Sequence, residues 1–172
     1  YKSYGSFKAL EKAIWQEYAE TTIRRLKEDS NYPSFSAREK VLAFYFTLVE
    51  SLKEDRSFVI FQLKKWKIPA APPAFIRKFR KVFNVWAEEV IEEGKSSNEI
   101  AKRPYLDKRY GTILWFHMHF ILKFWSKDDS PEFEKTDEAI EKSVNLAFDL
   151  IGKGVIDNAF EFGKFLFQQT KD

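Results

Sequence analysis

The chain has 172 residues, enough for one domain with a sizeable core. It has no Cys, which excludes a disulfide scaffold and a thiolate zinc site and fits a reducing cytoplasm. A net charge of +3 does not mark the whole segment as a nucleic-acid binder, and six Gly and six Pro are too few for a turn-rich β protein.

Helical periodicity runs almost throughout. The first helix is expected from about Phe7 to Lys27, with Ser6 as its N-cap. Leu10, Ile14, Tyr18 and Thr21 form its apolar stripe, widened by Ala13, and Asn31-Tyr32-Pro33 ends it. The second helix opens on a capping box, Ser36-Ala37-Arg38-Glu39, and carries Val41, Tyr45, Leu48 and Leu52 at core spacing to about Glu54. A shorter helix is expected over Phe58 to Trp66, followed by a stiff loop, Lys67 to Pro73, in which three prolines fix φ.

The next helix is expected from about Ala74 to Glu93 on the stripe Phe75, Phe79, Val82, Trp86 and Val90, with Gly94 to Asn98 as its stop. From about Leu106 to Lys127 the pattern is apolar on nearly every face, and such a helix must be covered all round, in part by a second subunit. Asp128-Asp129-Ser130-Pro131 breaks it. Thr136 to Gly152 repeats Ile140, Val144, Ala147 and Ile151 on one side, with Glu141, Lys142, Asn145 and Asp149 outside. A last helix covers about Asp157 to Gln168. The fold expected is one all-α bundle with short connections. Its longest apolar run, Ile113 to Ile121, falls short of the ~20 residues that span a membrane, so no membrane partner is expected.

The candidate chemistry is sparse. On a helix His117 and His119 point to nearly opposite faces and cannot share one metal ion. Glu88, Glu89, Glu92 and Glu93 read as a solvated face, because no Glu-x-x-His pair accompanies them. Lys64, Lys65, Lys67, Arg77, Lys78, Arg80 and Lys81 interleave with Trp66, Phe75 and Phe79. That interleaving suits either an outer face around a core stripe or contact with nucleic acid or an anionic head group. With no Cys nucleophile, Gly-rich phosphate loop or Gly-x-Ser-x-Gly elbow, neither an enzyme nor a cofactor is expected. Aromatic residues make up 17% of the chain, including 18 Phe, and an interior so rich in rings suits an apolar ligand.

The opening Tyr1-Lys2-Ser3-Tyr4-Gly5-Ser6-Phe7-Lys8-Ala9-Leu10 resembles the end of the DNA-reading helix and the start of the next helix in TetR-family transcriptional regulators. Ser36 to Lys40, Phe44 to Leu48, Asp55 to Phe58, Phe124 to Ser130, Phe133 to Asp137 and Ile140 to Val144 resemble a TetR-type C-terminal domain of Bacteroidetes. The resemblance implies that residues 1–5 are the tail of a helix-turn-helix domain and that 6–172 form an effector-binding and dimerisation domain. It implies a bacterial homodimer whose last two long helices build a four-helix interface, for which Leu114, Ile121, Trp125, Ile140, Val144, Ala147 and Ile151 are candidates.

The same resemblance implies a hydrophobic or amphipathic small-molecule effector in a pocket of the earlier helices, for which Tyr45, Phe79, Trp86, His117 and Phe120 are candidates. Operator DNA would be bound through an N-terminal head absent from this chain, and the effector would act by shifting populations. Tyr1 matches a phosphate-contacting Tyr of the family. Phe7 stands where the family usually has a phosphate-contacting Lys, and Lys8 is the nearest substitute, about 100° round the helix. The alternative on the same fold is a lipid-binding carrier without DNA-binding activity, similar to lipid-binding proteins of ubiquinone synthesis.

Overall fold

The computed structural model describes residues 5–169, whose regular secondary structure is all helical. Seven α-helices follow one another: α1 (Phe7–Glu28), α2 (Ala37–Leu52), α3 (Arg56–Leu63), α4 (Arg77–Ser96), α5 (Tyr110–Lys127), α6 (Glu134–Ile151) and α7 (Val155–Gln169). Short 3-10 turns lead into α4, α5 and α6. The local start signals act as the sequence requires. The Ser6 hydroxyl accepts from the Ala9 N–H at 3.2 Å. At α2 the Ser36 side chain accepts from the Glu39 N–H while the Glu39 carboxylate accepts from the Ser36 N–H, so two otherwise unpaired donors are satisfied together.

α1 packs on α2 and α4, α2 on α6, α4 on α5, and α5 on α3 and α6. The space between them is filled with rings. Phe44 stacks on Trp86 with centroids 4.3 Å apart, Trp15 lies 5.4 Å from Phe75, Phe83 5.8 Å from Trp115, and Trp66 5.0 Å from Trp115. Such pairs add about 0.5–1.5 kcal/mol each beyond their area burial.

Two differences from the sequence reading bear on packing. On α1 the buried stripe is Glu11, Trp15, Ala19, Thr22 and Leu26. Leu10, Ile14, Tyr18 and Thr21 are only half-buried, because the helix turns about 100° to put its largest ring into the core. Burying Glu11 and Thr22 is tolerated because Gln62 donates to the Glu11 carboxylate and the Thr22 hydroxyl donates to the Tyr18 carbonyl. Second, α4 runs through Gly94 to Ser96 rather than stopping there. Gly94 is needed for close packing: a Cβ there would lie 2.6 Å from Ile100 Cδ1 and 3.0 Å from Ala37 Cβ.

Candidate functional site

α2 is anchored at its start by a distant carboxylate as well as by its own cap. Glu99 accepts from the N–H groups of Ala37 and Arg38, each at 2.8 Å, where the helix dipole favours negative charge. Two turns along, Tyr45 is fully buried and points at α5. Its hydroxyl is 3.2 Å from His117 Nδ1 and 3.3 Å from the Leu114 carbonyl. On the other side of the ring, His117 Nε2 is 2.7 Å from Ser143 Oγ on α6, and Ser143 donates to the Ala139 carbonyl at 2.5 Å.

These contacts accommodate the following proton pattern. Ser143 spends its proton on Ala139, so it accepts from His117 Nε2–H. Nδ1 then carries the lone pair and shares the single Tyr45 hydroxyl proton with the Leu114 carbonyl. Every member is neutral in this chain. Burial lowers the His117 pKa from 6.5 to about 4 and raises that of Tyr45. Tyr45, His117 and Ser143 therefore join three helices through one polar thread in an apolar surrounding. Ser143 escaped the sequence reading; its signal is a small hydroxyl one residue before Val144, at the edge of a clean apolar stripe.

Of the other residues expected to line a pocket, two lie elsewhere. Phe79 and Trp86 are buried in the aromatic core on the α1 side, and the Trp86 Nε1–H donates to the Tyr32 hydroxyl at 2.9 Å. Phe120 is 47% exposed and stacks on the outer side of His117, centroids 6.3 Å apart. His119 points away from His117, toward the Trp66 carbonyl at 3.3 Å. No group of three or more potential metal ligands exists among the described residues. A groove of about 1170 Å³ runs along Tyr32, Phe35, Lys40 and Glu93 and includes none of the five candidates.

The residues expected at a dimer interface mostly face inward. Leu114, Ile121, Trp125, Ile140, Val144 and Ile151 are buried within the single chain and have no surface left for a partner. Ala147 is the exception, half-buried at the rim. The apolar side chains left in solvent on α5 and α6 are the neighbouring ones: Ile113, Phe116 and Phe120, then Leu146 and Leu150. A regular stripe shows which residues face the protomer's own core. Of the residues expected on DNA, Lys8 is exposed in the first turn of α1, and Tyr1 lies outside the described residues.

The fold defines the class: an all-α bundle around an aromatic core, with a polar thread across three helices and an uncovered apolar face on two of them. Residues 40–166 match the family of tetracyclin repressor-like C-terminal domains. The chain belongs to this family. No curated protein and no solved structure matches it significantly.

Proposed function

We propose that the chain is the effector-binding and dimerisation domain of a ligand-responsive transcriptional regulator of the TetR family. The observation that carries this reading, beyond family membership, is the Tyr45–His117–Ser143 thread. It ties α2, on the effector side, to α5 and α6, which carry the exposed apolar stripes. An apolar or amphipathic effector that competes for the Tyr45 hydroxyl or the His117 ring changes how α2 sits on α5 and α6. Because α5 and α6 form the homodimer contact in this reading, that shift alters the spacing of two DNA-binding heads.

The homodimer uses Ile113, Phe116 and Phe120 of α5 with Leu146 and Leu150 of α6. His117 and Ser143 lie between these stripes, so the thread runs directly beneath the contact.

The test combines sedimentation equilibrium with thermal unfolding against a panel of long-chain acids, amphiphiles and aromatic phenols. A ligand at about 100 times its Kd contributes roughly 2.7 kcal/mol. For a domain of this size that raises Tm by about 5–10 °C. The expected result is a dimer with at least one stabilising ligand whose effect shrinks in Tyr45→Phe. A monomer that no compound stabilises would overturn the reading.

A further inference from the structure

Residues 56–87 carry eight cations and no carboxylate, whereas the whole chain is only +3. The rest of the chain is therefore net negative, and the fold separates the two charges in space. α1 and α4 run in the same direction: Lys78 shares a groove with Ala13, Gln16 and Glu17, while Lys27 pairs with Glu89 farther along both helices. The end of α3 meets the first turns of α1, where Gln62 and Lys65 both reach Glu11. The starts of α1 and α4 and the end of α3 thus form one end of the bundle. Lys64, Lys65, Lys67, Arg77, Lys78 and Lys81 are exposed there, and Lys8 and Lys12 lie on the adjoining turns of α1. The far end holds Glu89, Glu92, Glu93 and Glu99, with Lys27 and Lys40 among them.

The cations at the first end are largely uncompensated. Among the described residues, Lys65 pairs with Glu11, and Lys64, Lys67, Arg77, Lys78 and Lys81 enter no ion pair. Lys123 of α5 extends the field: its ammonium donates to the Leu63 carbonyl at the end of α3. Burial and the charges of Lys127 and Lys67 together lower its pKa. Grouping like charges on rigid elements costs folding energy, and a polyanion relieves that cost on binding.

The geometry points to this basic end as a docking surface for the phosphate backbone of duplex DNA, beside the start of α1. Arg77 and Lys81 are four residues apart on one helical stripe, about 6 Å along the axis. That spans roughly two steps of a DNA strand at about 3.4 Å each. Phe7, Phe61 and Ile68 are the exposed apolar side chains nearby, and the Lys65 ammonium covers Phe61 at 4.6 Å from its ring centroid. Three scattered side chains fall short of the continuous apolar face with which a helix enters a lipid surface. The inference rests on the regulator reading only in its choice of polyanion, and its contacts carry no base specificity.

The test uses this chain as it stands, with a fluorescent random-sequence 30-base-pair duplex, titrated at several salt concentrations. With about four or five phosphates neutralised, log K should fall against log salt with a slope near −4. The variant Lys64→Glu/Lys67→Glu/Lys78→Glu/Lys81→Glu should lose at least roughly tenfold at low salt and flatten the slope. A variant with the same charge change elsewhere, Lys102→Glu/Lys108→Glu/Lys135→Glu/Lys142→Glu, should keep the slope, and circular dichroism checks that both fold. Three results would overturn the inference: no binding by the parent chain at low salt, equal loss in the two variants, or tighter binding to phosphatidylserine vesicles than to the duplex. None of them bears on effector binding or dimerisation.

Discussion

The Tyr45 hydroxyl on α2 and the His117 imidazole on α5 meet at 3.2 Å, 72 positions apart in the chain, with the rings edge to face. Neither partner can ionise there without losing hydration. His117 is ordinarily half-protonated at 6.5 and here falls to about 4. Between those values the unfolded chain binds the proton and the folded one does not. The stability from a neutral His117 is therefore complete above about pH 6.5, declines as pH falls, and is gone at about pH 4. A shift of this size corresponds to about 3 kcal/mol. Urea unfolding at pH 7, 5.5 and 4.5 should show the decline. In His117→Gln the slope should drop by about one proton, leaving a smaller one from His119, whose pKa burial also lowers. An unchanged slope in that variant would remove His117 as the source.

Asp128 closes α5 and opens α6. It is buried, yet its carboxylate accepts from the Ser130 N–H and hydroxyl at 2.9 and 2.6 Å and from the Thr136 N–H and hydroxyl at 2.8 and 2.6 Å. Burial alone would raise its pKa, but these donors outweigh it and hold the group at about 2. Its contribution is present above the ordinary 3.8 and is lost as pH falls toward 2. The same bonds hold Glu132 and Phe133 at positive φ, 51° and 58°. Asp128→Ala should cost about 2–3 kcal/mol, since it strands two donors of the fully buried Thr136. Asp128→Asn should cost less, because it keeps an acceptor. Equal losses in chemical denaturation would mean that shape, not acceptance, matters there.

Arg103 pins the last helix. Its guanidinium donates to both Asp157 oxygens at 3.0 and 3.1 Å, to the Gly152 carbonyl at 2.7 Å and to the Ile151 carbonyl at 3.1 Å. α7 buries little of its own surface: Phe160, Phe162 and Phe165 are each more than half exposed. The Arg103 fork is thus a main tie between α7 and the bundle in the single chain. Arg103→Ala should cost about 1–3 kcal/mol and speed hydrogen exchange in α7 more than in α1–α6. Arg103→Lys should recover only part, because an ammonium cannot make the forked contact. Uniform exchange across all seven helices would show that α7 is held by other means.

What was legible in the sequence is what neighbouring residues decide. The Ser36–Glu39 box and the Ser6 cap are closed within four residues, so composition and spacing suffice. The Val41, Tyr45, Leu48 and Leu52 stripe is buried as its spacing requires, with Phe44 and Val49 buried beside it. On α1, Ile14 and Trp15 are adjacent and both apolar, and only the partner helices decide which one enters the core. On α5 no polar side exists to orient the helix, so its spacing does not separate residues that face the core from residues that face a partner. Phe79 and Trp86 follow the same logic: a buried aromatic stripe looks alike whether it lines a cavity or fills one. The Ser143 contact depends on the α5–α6 crossing, which leaves no local trace.

The proposed dimer face separates two substitutions that the sequence alone would treat alike. Val144 is fully buried and belongs to the core of one chain, so Val144→Glu places a charge among apolar side chains with no partner. It should prevent folding and yield insoluble protein whatever the oligomeric state. Phe116 is 41% exposed and Leu146 60% exposed, so Phe116→Glu and Leu146→Glu leave the protomer core intact. In a dimer built on the outer stripes of α5 and α6, the pair of substitutions buries like charges against their symmetry mates. The expected species is a folded monomer: helical by circular dichroism, half the mass in sedimentation, and no longer showing a concentration-dependent Tm. Phe160→Glu, at a 63% exposed ring on α7, is the comparison variant, and it should remain dimeric. If instead Phe160→Glu separates the subunits while Phe116→Glu/Leu146→Glu does not, α7 rather than the α5–α6 face carries the contact, and the Tyr45–His117–Ser143 thread no longer lies beneath it.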